Sequence, residues 1–139
     1  AVADAARERW IVGEQRRQPG DVEIRGHRSR VLVADAAEHL GVKLLVVLGH
    51  ERCGAVTAAS KGGEAEGNIA YLVEKIKPAV DAAKAQQGDL VANAINENAK
   101  LIANEIATNE PILKELVEKG ELKVVSALYD LDEGTVVYQ

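Results

Sequence analysis

The sequence predicts an α/β fold: a single domain with a mainly parallel sheet flanked by helices, preceded by an amino-terminal helical arm. Short apolar runs typical of buried strands alternate with longer stretches in which apolar residues recur at helical spacing. The length of 139 residues suits one hydrophobic core, and no repeat, low-complexity tract or linker divides it. We expect residues 1–18 to form the arm and residues 19–139 the α/β core.

Composition narrows the class of protein. Hydrophobic residues make up 47% without any Phe or Met, so the core must consist of Val, Leu, Ile and Ala. The net charge of −5 argues against nucleic acid or an anionic membrane as a partner. The single cysteine excludes an intrachain disulfide and fits a reducing compartment. With no hydrophobic signal core and no apolar run long enough to cross a bilayer, we expect a cytoplasmic protein.

The first forty residues contain three predicted elements. Residues 3–17 are rich in helix formers, and the apolar patch at Trp10, Ile11 and Val12 is expected to contact another subunit. Residues 21–25 alternate polar and apolar, which predicts a short strand, and residues 26–30 form a predicted basic loop. Ser29 is the predicted N-cap of a helix through Leu40, with Gly41 as its stop.

The central stretch, residues 43–54, carries the candidate chemistry. Its β-branched and leucine run predicts a buried parallel strand that ends at Gly49, and a helix follows from Ala55. His50 and Cys53 therefore lie beyond the carboxyl end of a strand, where open parallel sheets place their sites. Imidazole and thiolate are preferred zinc ligands, and a helix start favours the thiolate. A buried, inert Cys and a hydrogen-bonded His remain the simpler interpretation of the spacing alone.

The second half alternates helices and strands. Asn68 is the predicted cap of a helix that buries Ile69, Leu72, Val73, Ile76 and Val80 and is kinked or divided at Pro78. Further predicted elements are a helix from Gly88 and Asp89 that buries Val91, Ile95, Ile102 and Ile106, a helix over residues 112–119 closed by Gly120, and strands over residues 122–129 and 135–138.

Residues 49–54, Gly-His-Glu-Arg-Cys-Gly, resemble the Gly-His-x-x-Cys-Gly motif of the β-class carbonic anhydrases. The resemblance extends over residues 31–139. It rests also on residues 38–42, 76–80, 93–98, 110–113, 122–125 and 129–134. Residues 7–17 resemble the family's amino-terminal helix, and residues 20–25 its second strand.

The resemblance implies a zinc enzyme that reversibly hydrates carbon dioxide to bicarbonate, and a homodimer or dimer-based oligomer. His50 and Cys53 match two of the three protein zinc ligands. Gly54 matches the residue after the family's second zinc-binding cysteine, where the backbone comes close to the reacting site, and the resemblance therefore implies a catalytic role for it. If both ligands hold one tetrahedral zinc ion, the Cys53 sulfur and a His50 ring nitrogen should lie about 3–4 Å apart.

The family takes its first zinc thiolate from a Cys-x-Asp-x-Arg motif, which this sequence lacks because Cys53 is its one cysteine. Three explanations remain open. The chain is a reduced relative without full catalytic capacity, or His27 replaces the lost ligand, or a stretch between Gln18 and Ala34 has been omitted from a longer chain.

Two other functions compete with the zinc enzyme. One is a non-catalytic, dimeric binding or scaffold module that keeps the fold. The other uses Cys53 as a thiolate nucleophile with His50 as its base, but no orienting acid or oxyanion site can be assigned. Metal content separates the zinc enzyme from both.

Overall fold

The computed structural model describes residues 27–62 and 66–139, the first four of these by their backbone alone. The predicted arm and the predicted strand over residues 21–25 lie outside the described residues. The elements are the helices α1 (His27–His39), α2 (Gly54–Lys61), α3 (Gly67–Ala83), α4 (Leu90–Ala107) and α5 (Ile112–Glu118), and the strands β1 (Leu44–His50), β2 (Lys123–Tyr129) and β3 (Val136–Tyr138).

The strands form one sheet in the order β1-β2-β3. β1 and β2 are parallel over their whole length, from Leu44 opposite Lys123 to His50 opposite Tyr129. The short β3 pairs antiparallel to β2. The helices α2 to α5 separate the two parallel strands along the chain. The α/β fold class is therefore confirmed, with a parallel pair at the centre of its sheet.

β1 is parallel as predicted, but it is not buried on both faces. Leu44, Val46 and Leu48 are 46%, 37% and 51% exposed, and they alternate with half-buried neighbours. The other face lies against α4, where a Cβ built on Gly49 would be 3.3 Å from Ile95 Cγ2. A continuous apolar run does not distinguish a strand covered on both faces from one covered on a single face, which explains the error.

α1 corrects the predicted start of the first core helix. It begins at His27, so residues 27–30 are helical rather than a basic loop, and Ser29 lies inside the helix instead of capping it. No helix breaker stands between Gly26 and Leu40, and Arg is a good helix former, so the helix extends toward the amino terminus. Gly41 ends the helix as predicted, with a φ of +68°.

α3 also differs from its prediction. It begins at Gly67 with Glu66 as its N-cap residue, and it runs through Pro78 as one helix. Ile76, Ala79 and Val80 are buried around that proline, so packing holds the helix together despite the lost backbone hydrogen bond. Ile69 and Leu72 were expected in the core, but they are 58% and 49% exposed.

The core consists of two clusters. The larger joins α2, α3 and α4 through Val56, Ile76, Val80 and Ile95 with several alanines. The smaller is centred on Leu113, which has no exposed surface, and it includes Ala37 and Leu122. In the described part of the chain, no helix has the length and apolar character needed to cross a membrane.

Candidate metal centre

The turn between β1 and α2 places His50 and Cys53 three positions apart at one end of the sheet. His50 is the last residue of β1, and Cys53 is the N-cap residue of α2. Thr57 fixes the start of the helix, because its backbone N–H and its hydroxyl both donate to the Cys53 carbonyl at 2.9 Å. Both candidate ligands therefore stand at the carboxyl end of a parallel strand, as the sequence predicts.

The His50 ring is oriented by its own turn. Nδ1 lies 3.0 Å from the Glu51 carbonyl oxygen. A carbonyl can only accept, so Nδ1 must carry the proton in this hydrogen bond, and Nε2 is left with its lone pair. Metal-ligating histidines commonly hold their second ring nitrogen in this way. The side chain of His50 is exposed, so its Nε2 lone pair is available to bind a metal ion.

Cys53 is a free, half-buried thiol beside the larger core cluster. The following residue, Gly54, has no described atom within 4 Å of where a Cβ would stand. Space is therefore open beside the Cys53 backbone. The convergence of the Cys53 sulfur and His50 Nε2 on one point, and the catalytic assignment of Gly54, stay predictions.

A third ligand is not found beside His50 and Cys53 among the described residues. The one described group of three possible ligand side chains is Glu51, Asp130 and Asp132, whose oxygens lie within 4.8 Å of one another. Hydrogen bonds within and between the turns that follow β1 and β2 account for all three carboxylates. The side chain of His27 is outside the described part, so its assignment as a ligand stays a prediction.

Arg52, between the two candidate ligands, was not singled out from the sequence. Its guanidinium binds Asp132 through two hydrogen bonds of 2.8 Å. This pairing lowers the pKa of Asp132 and raises that of Arg52. Glu51 accepts a hydrogen bond from the Leu131 N–H at 3.2 Å. The sequence did contain a signal for this pair. Arg52 and Asp132 have opposite charges, and each comes just after a strand of the predicted mainly parallel sheet.

A cavity of about 370 Å³ opens beside Glu51 and Arg52, between α2, the start of α4 and the end of β2. Its lining includes Thr57, Asp89 and Leu128 but neither His50 nor Cys53. The cavity therefore adjoins the turn through Glu51 and Arg52, and the two candidate ligands do not line it.

Residues 22–136 match the family model described as carbonic anhydrase. This chain belongs to the carbonic anhydrase family. The match includes His50, Cys53 and the Arg52–Asp132 pair.

Relatives and solved structures agree with that assignment. Carbonic anhydrase 2 of Mycobacterium tuberculosis is 29% identical over 102 residues, which are 70% of this chain and 49% of that protein. The chain thus spans about half the length of the curated relatives it matches. A tetrameric β-carbonic anhydrase of Sordaria macrospora superposes with a TM-score of 0.70 at 21% identity, covering 87% of this chain and 69% of the other.

The β-carbonic anhydrase CafA of Aspergillus fumigatus gives a TM-score of 0.67 at 23% identity, over 81% of this chain and 55% of that one. At such identities the likeness establishes the fold alone. Together with the family match, it identifies the fold as that of the β class.

Proposed function

We propose that this family member hydrates carbon dioxide reversibly to bicarbonate with a zinc ion held by His50 and Cys53. The observation that carries the proposal is the turn after β1, where the Glu51 carbonyl holds His50 Nδ1 and so leaves Nε2 as a donor. Three residues later, a free thiol stands at the start of a helix. An imidazole nitrogen and a thiolate are the donor types that zinc prefers. When bound, zinc supplies a water acidic enough to ionise near neutral pH.

The described donors make only part of a zinc site. Catalytic zinc normally has three protein ligands and an open position, and His50 and Cys53 are two. We propose that the third comes from the first thirty residues, with His27 as the candidate, or from another chain. Without it, zinc binding is expected to be weak and exchangeable, and hydration activity low.

Zinc analysis of the purified protein tests the proposal. The unmodified protein should bind up to one zinc ion per chain, and Cys53→Ser and His50→Gln should each lose most of it. His39→Gln is the matched control, because His39 is an exposed histidine on α1 beside Asp35 and Glu38. Stopped-flow measurement of carbon dioxide hydration should follow the zinc content.

Two results would contradict the proposal. One is the absence of zinc from the unmodified protein even after incubation with excess metal. The other is equal zinc binding by all four proteins. A stable dimer that binds no zinc would instead support the non-catalytic module.

We further propose a homodimer formed through the open face of the sheet. Leu44, Val46 and Leu48 lie on this face of β1. The pairing of β3 through β2 brings Val136 and Tyr138, 43% and 63% exposed, onto the same face. Between them, Ala127 of β2 lies on the same face and is buried, so the exposed apolar side chains flank it. Exposed apolar residues grouped on one face of a sheet favour an interaction site. The contact predicted for Trp10, Ile11 and Val12 lies outside the described residues and stays a prediction.

Light scattering after size exclusion tests the homodimer. A double variant, Leu44→Lys with Val46→Lys, should convert it to a monomer at micromolar concentration. Leu101→Lys is the control, because Leu101 is an exposed leucine on α4, away from this face. If the unmodified protein is monomeric, the second copy is excluded, and the arm of the same chain becomes the expected cover.

A cytoplasmic location also stays a proposal and rests on the single cysteine.

A further inference from the structure

The turns that follow β1 and β2 lie side by side. His50 and Tyr129 are the last paired residues of the two parallel strands, so both strands end at one edge of the sheet. The Glu51 N–H then donates to the Tyr129 carbonyl at 3.1 Å. This contact brings residues 50–53 against residues 130–134.

Side chains join the two turns more firmly. Arg52 and Asp132 form a two-pronged ion pair with both distances at 2.8 Å, and Glu51 accepts from the Leu131 N–H. The second turn is itself ordered, because Asp130 accepts from the N–H groups of Asp132 and Glu133 at 2.8 Å each. Asp132 therefore reaches Arg52 from a fixed backbone.

The backbone of Arg52 gives an independent reason to regard this pair as functional. Its φ is +52°, the one left-handed conformation among the described residues other than glycine. An L side chain disfavours that conformation, and glycine would adopt it freely. Arg52 stands between His50 and Cys53, so its backbone conformation contributes to the relative direction of their side chains. Glycine at this position could not form the ion pair with Asp132. The ion pair is therefore a reason for an arginine to stand here despite its unfavourable φ.

We propose that Arg52 and Asp132 are positioning residues, whose ion pair holds the left-handed turn that aims His50 and Cys53 at one metal ion. This inference rests on the proposed zinc function. Both side chains are largely exposed, at 60% and 71%, and exposed ion pairs contribute little to global stability. The pair should therefore affect metal binding much more than folding.

Cobalt titration and urea denaturation of the same variants test this separation. Asp132→Asn should weaken Co²⁺ binding by about tenfold or more and alter the cobalt absorption bands, as loss of an orienting partner does. Its urea midpoint should stay close to that of the unmodified protein. Arg52→Gly should also bind Co²⁺ more weakly while remaining folded, because glycine accepts the backbone but lacks the ion pair. The double variant should be no weaker than the weaker single variant.

Lys84→Met is the matched control, because it breaks a comparable exposed ion pair to Asp81, also 2.8 Å, at the end of α3. It should leave the cobalt affinity unchanged. Equal Co²⁺ affinity in Asp132→Asn and the unmodified protein would overturn the inference. So would a loss of affinity that a matching loss of folding stability explains.

A metal-free measurement separates this inference from the zinc function. A positive φ gives a strong NMR cross-peak between the amide and Hα protons of the same residue, and Arg52 should show it. The cross-peak should weaken in Asp132→Asn. If the unmodified protein binds no metal but this change occurs, the zinc function fails and the positioning by Asp132 stands. An unchanged cross-peak means that Asp132 does not hold the turn.

Discussion

Gly49 stands where α4 approaches the end of β1. A Cβ there would lie 3.3 Å from Ile95 Cγ2 and 3.5 Å from both Ala99 Cβ and the Ile95 carbonyl oxygen. Ile95 is buried, so it has little room to move aside. The absence of a side chain at Gly49 thus lets α4 cover the strand just before His50.

At this residue, Gly49→Val should lower the free energy of unfolding by about 2 kcal/mol, because its methyl groups would overpack the contact with Ile95. Gly54→Ala is the matched control for stability. Gly54 is helical and faces open space, so added helix propensity should leave that variant at least as stable. Urea denaturation of the three proteins measures both effects. A Gly49→Val protein as stable as the unmodified one would contradict the close approach.

Among the elements, α4 is the main helix that covers the sheet, and its start depends on one side chain. The Asp89 carboxylate accepts a hydrogen bond from the Ala92 N–H at 2.7 Å. This N-cap satisfies a backbone donor that the helix itself leaves unpaired.

Asp89→Ala should lower the free energy of unfolding by about 1 kcal/mol, since alanine cannot cap the helix. Asp89→Ser keeps a capping oxygen, so its free energy of unfolding should fall by only about 0.3 kcal/mol. The comparison uses urea midpoints at neutral pH. Equal stability of the alanine and serine variants would show that the cap contributes nothing.

α5 carries an exposed ion pair at its end, between Glu115 and Lys119. The hydrogen bond from Lys119 and its charge lower the pKa of Glu115 below the ordinary 4.5. Because the folded pKa is the lower one, the stabilisation is fully present above pH 4.5 and is lost as the pH falls through the folded value.

NMR titration of the Glu115 carboxyl carbon should therefore give a midpoint below 4.5, and Lys119→Met should return it toward 4.5. Lys123→Met, on β2, is the control and should leave the midpoint where it was. If Lys119→Met also leaves it there, the ion pair does not form in solution.

For the whole molecule, the distribution of large and small apolar residues determines the size of the core. Several buried positions on α3 and α4 are alanines, so the two helices pack closely. Many larger apolar side chains are instead exposed, on the open face of the sheet and on the first part of α3. The described core is consequently small, and Leu113 is its one large side chain with less than 2% exposure.

Leu113→Ala should lower the free energy of unfolding by about 3 kcal/mol, because it empties the cluster between α5, α1 and the sheet. Leu72→Ala, which removes a leucine 49% exposed on α3, should change it by less than about 0.5 kcal/mol. Chemical denaturation of both variants gives the comparison. Similar losses in the two would mean that Leu72 is covered in solution, which favours assembly over that part of α3.

Local signals predicted most of the elements in the described region. The apolar runs and the helix stops at Gly41 and Gly120 placed β1, β2 and the helix ends within one or two residues. The helix start at Gly88 and Asp89 was also predicted, and the structure shows Asp89 as the N-cap residue of α4. The starts of α1 and α3 were misplaced, since Ser29 and Asn68 are good caps but can also lie inside a helix.

The sequence by itself determined the fold class, the family and the place of His50 and Cys53 at the carboxyl end of a strand, because these depend on patterns within short stretches. Only the tertiary structure decided which face of β1 is open, because burial depends on where α4 packs. It alone paired Arg52 with Asp132, 80 positions away, because parallel strands bring their ends together only once the sheet has formed.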